Sequence, residues 1–327
     1  MIDIIFSQQK KERKVNMKKL LSVVIIGIIV LGGLVAAVTA TNQNQKNSTT
    51  SSPYVDELDQ SMTDYDGSLP LGPTSFLGFY ANLSVAQSFI PQKELLTRTQ
   101  FLMARNTTTS YPCVLAIRDN LTGENLAITS VAPGEFPVVN ETPTEEQLAW
   151  IDFNFDDIWV TPGQTYYIVV YTTNITENYY WISGNGTNIY PNGSVMLSID
   201  DGKTWSELIP NADGCFKTYG LRETFLNITM KKFSLLGCSY TITNIGNYTA
   251  WDVEVNITIK GGILGLININ GGGSISELQP GFGMGELIGP NFGLGPVTIS
   301  IKVIAANVHE ISTEKNAMVI FFFMFIK

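Results

Sequence analysis

The fold class of this chain is indicated most clearly by one segment, Trp251-Asp252-Val253-Glu254-Val255-Asn256-Ile257-Thr258-Ile259. Apolar and polar side chains alternate strictly along it, and successive side chains of a β-strand point to opposite faces of a sheet. The segment is therefore predicted to be a strand with one buried face and one solvated face.

Further short apolar segments surround this strand between residues 224 and 327. About seven strands over roughly 100 residues is the size of an immunoglobulin-like sandwich, and a domain of that class is predicted for residues 224–327. The final apolar run, residues 319–326, is too short for a membrane helix. It is predicted to be a last strand buried on both sides, with a short membrane-contacting tail as the alternative.

Residues 58–223 are predicted to form an earlier β-sandwich. Strand-like segments there follow one another closely between turn formers such as Asn120-Leu121-Thr122-Gly123 and Thr161-Pro162-Gly163. Strands at this density, without helical periodicity, indicate an antiparallel sandwich. The chain is thus predicted to be all-β apart from an N-terminal helix.

Residues 1–40 contain an export signal. Two lysines precede an uncharged apolar run from Leu20 to Val38, which ends in small residues at Ala40. This order is typical of a secretory signal peptide, and the run is also just long enough to span a bilayer as an anchor helix. In either case the polar linker, residues 41–57, and the domains after it are predicted to lie outside the cytoplasm, at the cell surface or secreted.

Asparagine usage supports export. Triplets of the form Asn-x-Ser/Thr recur from Asn47 onward, and none precedes the signal. They are acceptors for N-linked glycans in exported proteins, whereas the alternative is an Asn/Thr-rich chain with turn-forming asparagines. The predicted glycosylated residues are Asn82, Asn106, Asn120, Asn140, Asn174, Asn185, Asn192, Asn227, Asn247 and Asn256.

The composition of the chain argues against several classes of partner and of catalytic or metal site. The formal charge of -9 argues against nucleic acid or anionic lipid as a partner. A single histidine, His309, argues against a histidine-based triad or a multi-histidine metal site. Cys113 and Cys215 lie in the same predicted domain and are predicted to form a disulfide, which leaves Cys238 as a buried thiol.

Four segments of the first domain carry a family resemblance: Leu58-Asp59-Gln60, Ala86-Gln87-Ser88-Phe89, Thr161-Pro162-Gly163-Gln164-Thr165-Tyr166-Tyr167-Ile168-Val169, and Cys215-Phe216-Lys217-Thr218-Tyr219-Gly220. With these, residues 58–220 resemble a jelly-roll domain of archaeal and some bacterial surface proteins. Such domains are similar in outline to carbohydrate-binding modules. The resemblance implies a jelly roll that takes part in carbohydrate recognition or adhesion.

The second domain carries a less specific resemblance. Tyr240-Thr241-Ile242-Thr243-Asn244-Ile245-Gly246-Asn247 and Leu278-Gln279-Pro280-Gly281 resemble the cell-adhesion-related immunoglobulin-like domain known as CARDB. Two glycine tracts, Gly261-Gly262 and Gly271-Gly272-Gly273, depart from that pattern. The implied partners are glycans or cell-surface proteins.

The segment Ser198-Ile199-Asp200-Asp201-Gly202-Lys203-Thr204-Trp205 matches the Asp box of sialidase-like propellers. In that motif the aspartate caps a β-hairpin turn and the tryptophan packs beneath it. The motif occurs once and the chain has no blade-length repeat, so a structural hairpin without catalysis is predicted.

Two clusters are candidate sites. Tyr179, Tyr180, Trp181 and Tyr190 are predicted to stack on sugar rings, with core packing as the alternative. Asp152, Asp156 and Asp157 are candidate ligands of a structural Ca²⁺, as are Asp200 and Asp201. The first three are alternatively a pair of glycosidase carboxylates or a solvated strand end. No other cofactor is predicted.

Taken together, the sequence predicts an exported, membrane-tethered or secreted glycoprotein whose sandwiches serve adhesion or carbohydrate binding and catalyse no reaction. One alternative is a structural spacer or lattice component without a ligand. Another is a hydrolase acting on glycans.

Overall fold

The computed structural model describes residues 55–76, 78–207, 209–235, 237–288 and 292–327. The predicted signal or anchor, residues 1–40, and nearly all of the linker lie outside these ranges. The described chain is all-β, as predicted, with three short 3-10 turns and no α-helix. No helix within the described ranges is long and apolar enough to cross a bilayer.

Thirteen strands make up a first module. In chain order they are β1 (Glu57–Met62), β2 (Gly67–Phe76), β3 (Phe79–Phe89), β4 (Leu95–Asn106), β5 (Cys113–Arg118), β6 (Ala127–Val131), β7 (Val138–Val139), β8 (Ala149–Trp159), β9 (Tyr166–Thr172), β10 (Tyr180–Asn185), β11 (Val195–Ser198), β12 (Asp213–Gly214) and β13 (Phe216–Leu221).

Nine strands of the first module form one continuous path, β1-β13-β4-β10-β2-β3-β9-β5-β6, which changes partner within β2. The other four pair with strands of this path: β7 and β8 with β4, β11 with β3, and β12 with β10. Residues 67–71 of β2 pair with β10, whereas residues 72–76 pair with β3. Gly72, at the change of partner, has a φ of +106°, and a Cβ there would lie 2.7 Å from the carbonyl oxygen of Asn178. A glycine is therefore required where the chain passes from the first sheet to the second.

The core of the first module is formed by the inward side chains of both sheets. Phe89 on β3 and Phe101 on β4 are fully buried, although the two strands lie in opposite halves of the path. Phe153 and Phe216 are also fully buried in this core. β8 shows the expected period of two, because Ile151, Phe153 and Phe155 are buried while the residues between them are exposed.

Nine strands make up a second module. They are β14 (Leu226–Met230), β15 (Phe233–Leu235), β16 (Cys238–Asn244), β17 (Ala250–Gly261), β18 (Ile267–Leu278), β19 (Gly283–Ile288), β20 (Gly293–Ala305), β21 (Val308–Phe321) and β22 (Phe323–Ile326). They form a three-stranded sheet, β14-β16-β19, and a six-stranded sheet, β15-β22-β21-β20-β17-β18.

The alternation predicted for residues 251–259 is confirmed in β17 from Val253 to Ile259, whereas Trp251 is half-buried and lies outside the core, next to Asp252 with a φ of +52°. Val253, Val255, Ile257 and Ile259 are buried in the core of the second module, at 0–2% exposure. Glu254 and Asn256, on the other face, are exposed. The apolar face of this one strand thus locates the core between the two sheets.

The prediction of a single last strand at residues 319–326, buried on both sides, was wrong. The run folds into a hairpin, because β21 ends at Phe321 and β22 pairs back onto it from Phe323. Phe321 has a φ of +57° at the turn. Only the inward side chains Val319 and Met324 are fully buried, whereas Ile320, Phe321, Phe323 and Phe325 are 40–56% exposed.

One buried asparagine joins the two modules. Asn307 is 1% exposed. Its amide nitrogen donates to the carbonyl oxygens of Arg222 (2.7 Å) and Thr249 (2.9 Å), and its Oδ1 accepts from Trp251 N–H (3.1 Å). Nearby, the ring of Trp159 stacks on His309 with centroids 4.1 Å apart. Hydrogen bonds and ring stacking therefore hold the chain segment between the modules from both sides. The described residues, from 55 onward, belong to one compact unit.

Candidate functional site

The structure does not assemble the predicted platform of four aromatic rings. Tyr180 is 0% and Tyr190 is 7% exposed. The Tyr180 hydroxyl donates to the carbonyl oxygen of Tyr111 (2.6 Å), and that of Tyr190 donates to Oε1 of Gln60 (3.0 Å). Both rings belong to the core, and burial raises the pKa of both phenols. The prediction was therefore wrong for these two residues.

Trp181 lies on the outer face of β10, since it alternates with the inward Tyr180, and Tyr179 directly precedes this strand. Both are half-buried, and their rings meet edge to face with centroids 5.8 Å apart. Two rings in this arrangement offer one small aromatic surface rather than the wide platform that was predicted.

The predicted calcium ligands are also not gathered into a site. Asp152 accepts hydrogen bonds from Arg98 Nη1 (2.6 Å) and Gln100 Nε2 (3.0 Å), so a cation already neutralises it. Asp156 and Asp157 are exposed at the end of the same strand. In the part of the chain that the structure describes, no three acidic, histidine or cysteine side chains come together to hold a metal ion.

The predicted disulfide between Cys113 and Cys215 is absent, because all three cysteines are free and buried. Cys113 lies on β5 in the second sheet, whereas Cys215 precedes β13 in the first sheet and directs its thiol at the carbonyl oxygen of Asp64 (3.6 Å). Burial raises the pKa of Cys215 and Cys238 to about 11. Cys238 is a buried thiol, as predicted.

Three predicted glycan acceptors use their amide nitrogen in a hydrogen bond. Nδ2 of Asn82 donates to Oδ1 of Asp201 (2.5 Å), and Nδ2 of Asn106, an 8% exposed residue, donates to Thr108 (2.6 Å). Nδ2 of the exposed Asn256 donates to Oε1 of Glu254 (2.9 Å). The remaining acceptors are half-buried or exposed: Asn120, Asn140, Asn174, Asn185, Asn192, Asn227 and Asn247. Glycosylation of these residues stays a prediction.

The Asp box forms the predicted hairpin turn. Leu197 and Ser206 exchange backbone hydrogen bonds of 2.8 and 2.9 Å at its base. Asp200 accepts from the backbone N–H (2.9 Å) and hydroxyl (2.8 Å) of Thr204 and from the hydroxyl of Ser198 (2.8 Å). The Thr204 N–H, followed by the Ser198 and Thr204 hydroxyls, lowers the pKa of Asp200 to about 2.

The turn is fixed to the second sheet of the first module. Asp200 forms a parallel bridge with Asn82 on β3, and the side chains of Asn82 and Asp201 are hydrogen-bonded. Trp205 Nε1–H donates to the carbonyl oxygen of Gly202 (3.1 Å), which holds the indole against the turn. These hydrogen bonds therefore fix the position of the Asp-box turn and of the Trp205 indole.

Between the turn and the strands lies a cavity of about 400 Å³, here termed the Asp-box pocket. Its polar and aromatic lining is contributed by Asn82, Arg118, Tyr171, Asn174, Asp201 and Trp205. β3, β5 and β9 are neighbours in the second sheet, which is why side chains so distant in sequence meet here.

Two groups in the Asp-box pocket have unused hydrogen-bonding capacity. Arg118 donates through Nε to Asn125 (2.7 Å) and through Nη1 to the carbonyl oxygen of Leu121 (2.8 Å), and within the described residues its Nη2 has no partner. The Oδ1 of Asn82 is buried and likewise lacks a donor among these residues. Arg118 and Asn82 thus line one cavity together with two aromatic residues, Tyr171 and Trp205.

A smaller cavity of about 180 Å³ lies between the sheets beside Asp213. Asp213 is 1% exposed and accepts from the backbone N–H groups of Ile189 (3.0 Å) and Tyr190 (2.8 Å). Burial raises its pKa. Because the carboxylate holds the 189–190 turn in place, its role is structural.

Sequence reasoning singled out Asp201 and Trp205 through the Asp-box motif but did not find Arg118, Tyr171 or the role of Asn82. No motif links these three residues, and their proximity follows from the pairing of β3 with β9 and of β9 with β5. The order of the strands in the sheet brings Asn82, Arg118 and Tyr171 next to the Asp-box turn.

No protein-family model matches the chain, and no curated protein matches it. Among solved structures it is similar to a β-glucuronidase 2 of Bacteroides uniformis covalently bound to cyclophellitol-6-carboxylate aziridine, at 9% identity over 80% of this chain and 32% of that chain, with a TM-score of 0.21. It is also similar to a putative β-galactosidase from Bacteroides fragilis, at 10% identity over 81% and 42% of the two chains, with a TM-score of 0.20. The chain spans less than half of either structure. At such TM-scores the likeness supports no conclusion about function.

Proposed function

We propose that this chain is a non-catalytic glycan-binding protein of the cell surface and that the Asp-box pocket is its binding site. The observation that carries the proposal is the meeting of the anchored donor Arg118, the acceptor Asp201 and the aromatic residues Tyr171 and Trp205 around one cavity. Saccharides present hydroxyl groups that both donate and accept, beside apolar C–H faces that pack on aromatic rings. The pocket offers a matching group for each.

Binding is favoured over hydrolysis by the carboxylates of the pocket. Glycosidases commonly use two carboxyl groups, one of them with a raised pKa. Here Asp200 is held inside the turn with a lowered pKa, and Asp201 is the only carboxylate lining the pocket among the described residues. This arrangement supports recognition without bond cleavage.

The finer assignments belong to the same proposal. We take the first module to be a jelly roll like those of archaeal surface proteins and the second to be a CARDB-like immunoglobulin-like domain. The export signal and the exposed Asn-x-Ser/Thr triplets support a place on the cell surface, either tethered or secreted. Adhesion would follow if the bound glycan belongs to another cell.

The junction between the modules favours a second function, that of a spacer. Asn307 bonds to both segments that meet there, and Trp159 stacks on His309 across it. A stiff junction would hold the second module at a set distance from the first module, which adjoins the N-terminal linker. A protein can act as a spacer and bind a glycan at the same time. The spacer function would therefore accompany glycan recognition or, in a chain without a ligand, replace it.

A glycan array probed with the full-length chain in nanodiscs tests the proposal. We expect retention of a defined glycan class, and a loss of about tenfold or more in affinity, or about 1.4 kcal/mol, for Tyr171→Ala and for Arg118→Gln. Tyr179→Ala, on the opposite sheet, is the matched control and should bind as the parent does. Thermal unfolding of each variant separates lost binding from lost folding.

Two outcomes would overturn the assignment. A blank array would favour the spacer. Retention that the Tyr171 and Arg118 variants leave unchanged would place the site elsewhere.

A further inference from the structure

One end of the six-stranded sheet of the second module carries three adjacent apolar segments, here termed the apolar tip. They are the β17–β18 loop (residues 262–266), the start of β20 (Phe292 to Leu294) and the β21–β22 turn (Phe321 to Phe323). The backbone N–H of Gly262 donates to the carbonyl oxygen of Pro296 on β20 (2.7 Å). Gly293 is paired with Phe321, so all three segments lie side by side.

The apolar side chains of this tip face solvent. Leu264 is 90% and Leu266 is 81% exposed, and Ile263, Phe292 and Phe321 are 50–56% exposed. The ring of Phe292 lies 5.2 Å from that of Phe322 and 6.3 Å from that of Phe321, so the aromatic part is continuous. Contiguous apolar surface of this kind on a soluble domain marks an interaction site.

The backbone conformation of the β17–β18 loop makes the side chain of Leu264 protrude from the surface. Leu264 has a φ of +57°, a conformation that favours glycine or asparagine and is costly for a bulky side chain. Gly262 and Gly265, with φ values of +76° and +71°, complete a tight turn around it. A side chain that is 90% exposed at such a turn protrudes from the surface and does not line a groove.

The tip also lacks charge. No Asp, Glu, Lys or Arg occurs between Lys260 and Glu277, between Glu286 and Lys302, or between Lys315 and Lys327. The chain as a whole carries a net charge of -9, so its acidic groups lie elsewhere. An uncharged protrusion of leucine and phenylalanine suits the acyl region of a bilayer, where polar groups are costly and no counter-charge is needed.

We infer that the apolar tip inserts into an electrically neutral lipid bilayer. The apolar run from Leu20 to Val38 is long enough to span a membrane, and residues 41–54 that follow it extend at most about 50 Å, so a spanning run would keep the first module close to that membrane. Insertion through the second module then gives the chain a second membrane contact. This inference is independent of the glycan pocket, which lies on the first module.

Site-directed fluorescence on the full-length chain tests the inference. Leu264→Cys is labelled with the environment-sensitive dye NBD, and labelling is selective because the three native cysteines are buried. The protein is reconstituted into phosphatidylcholine vesicles with and without doxyl-labelled acyl chains. The matched control is Phe282→Cys, 63% exposed and located after Leu278, which pairs with Ala250 at the other end of β17.

We expect the label at residue 264 to emit at shorter wavelength and to be quenched by the doxyl lipid, whereas the label at residue 282 stays as in water. Adding Leu266→Asp to the Leu264→Cys protein should restore water-like emission, with the unfolding midpoint unchanged. Water-like emission at residue 264 in vesicle-bound protein would overturn the inference. A blue shift without lipid quenching would do so as well, because another protein surface would then cover the tip.

Discussion

The side-chain nitrogen of Asn82 donates a 2.5 Å hydrogen bond to the carboxylate of Asp201, although 119 positions separate the two residues along the chain. The bond holds the Asp-box turn against β3 and leaves the Oδ1 of Asn82 buried without a donor among the described residues. The same nitrogen is the atom to which an N-linked glycan would attach. One residue therefore cannot serve the pocket and carry a glycan at once.

Glycan occupancy should follow this geometry. In protein isolated from its native surface we expect glycans at exposed acceptors such as Asn120, Asn140 and Asn192, and none at Asn82 or Asn106. Both excluded residues use their amide nitrogen in a hydrogen bond within the fold. Mass spectrometry of peptides after enzymatic deglycosylation in H₂¹⁸O reads each site separately. A glycan found on Asn82 would contradict the pocket as described.

The Asp-box turn should loosen in acid. The folded-state pKa of Asp200, about 2, lies below its ordinary value of 3.8, so its carboxylate stabilises the turn above pH 3.8 and this contribution is lost as the pH falls through about 2. We expect hydrogen exchange at the amides of Gly202 and Thr204 to quicken over that interval, beyond the intrinsic pH dependence of exchange.

The variant Asp200→Ala should show the faster exchange already at neutral pH, because both of its Thr204 donors lose their acceptor. The exposed strand residue Asp156 provides the control, and Asp156→Ala should leave both amides protected. Equal protection in the two variants would mean that the carboxylate does not hold the turn.

Tyr180, the first residue of β10, and Tyr179, directly before it, should differ widely in their effect on stability. Tyr180→Ala removes a fully buried ring and should lower the free energy of unfolding by about 3 to 5 kcal/mol. Tyr180→Phe keeps the ring but leaves the carbonyl of Tyr111 without its donor, at a cost of about 1 to 2 kcal/mol. Tyr179→Ala, on the half-buried outer face, should cost less than either. Urea unfolding measures all three, and similar losses for Tyr179→Ala and Tyr180→Ala would contradict the register of β10.

All three cysteines should behave as protected thiols. Each is buried, and burial raises the pKa of Cys215 and Cys238 to about 11, so little thiolate exists at neutral pH. We expect a thiol reagent to modify none of them in the folded protein and all three in denaturant. Reducing agent should leave the thermal midpoint unchanged. A midpoint that drops on reduction would reveal a disulfide.

Replacing Asn307 should make the two modules unfold separately. Asn307→Ala removes two donated bonds and one accepted bond from a fully buried junction, and we expect a loss of about 1 to 3 kcal/mol. Differential scanning calorimetry should then resolve two transitions where the parent shows one. Asn316→Ala, at an exposed position of β21, is the control and should unfold as the parent does. A single unchanged transition in Asn307→Ala would show that the junction does not couple the modules.

Local patterns in the sequence determined two parts of this protein. The strict alternation in β17 defines its buried face, because the side-chain period of a strand is two and each position is settled by its own polarity. The Asp-box turn follows as directly, since Ser198, Asp200, Gly202 and Thr204 satisfy one another within a few residues. Interactions between residues so close in the chain need no distant partner.

The other features depend on contacts between residues that are far apart in the chain. Tyr179-Tyr180-Trp181 is aromatic at every position, so no polarity pattern marks Tyr180 as the inward ring. Residues 319–326 are apolar throughout and likewise conceal the turn after Phe321. The pocket joins Asn82, Arg118 and Tyr171 through the pairing of three strands. Strand order is set by how the whole apolar surface is buried, which is a property of the assembled core and of no single segment.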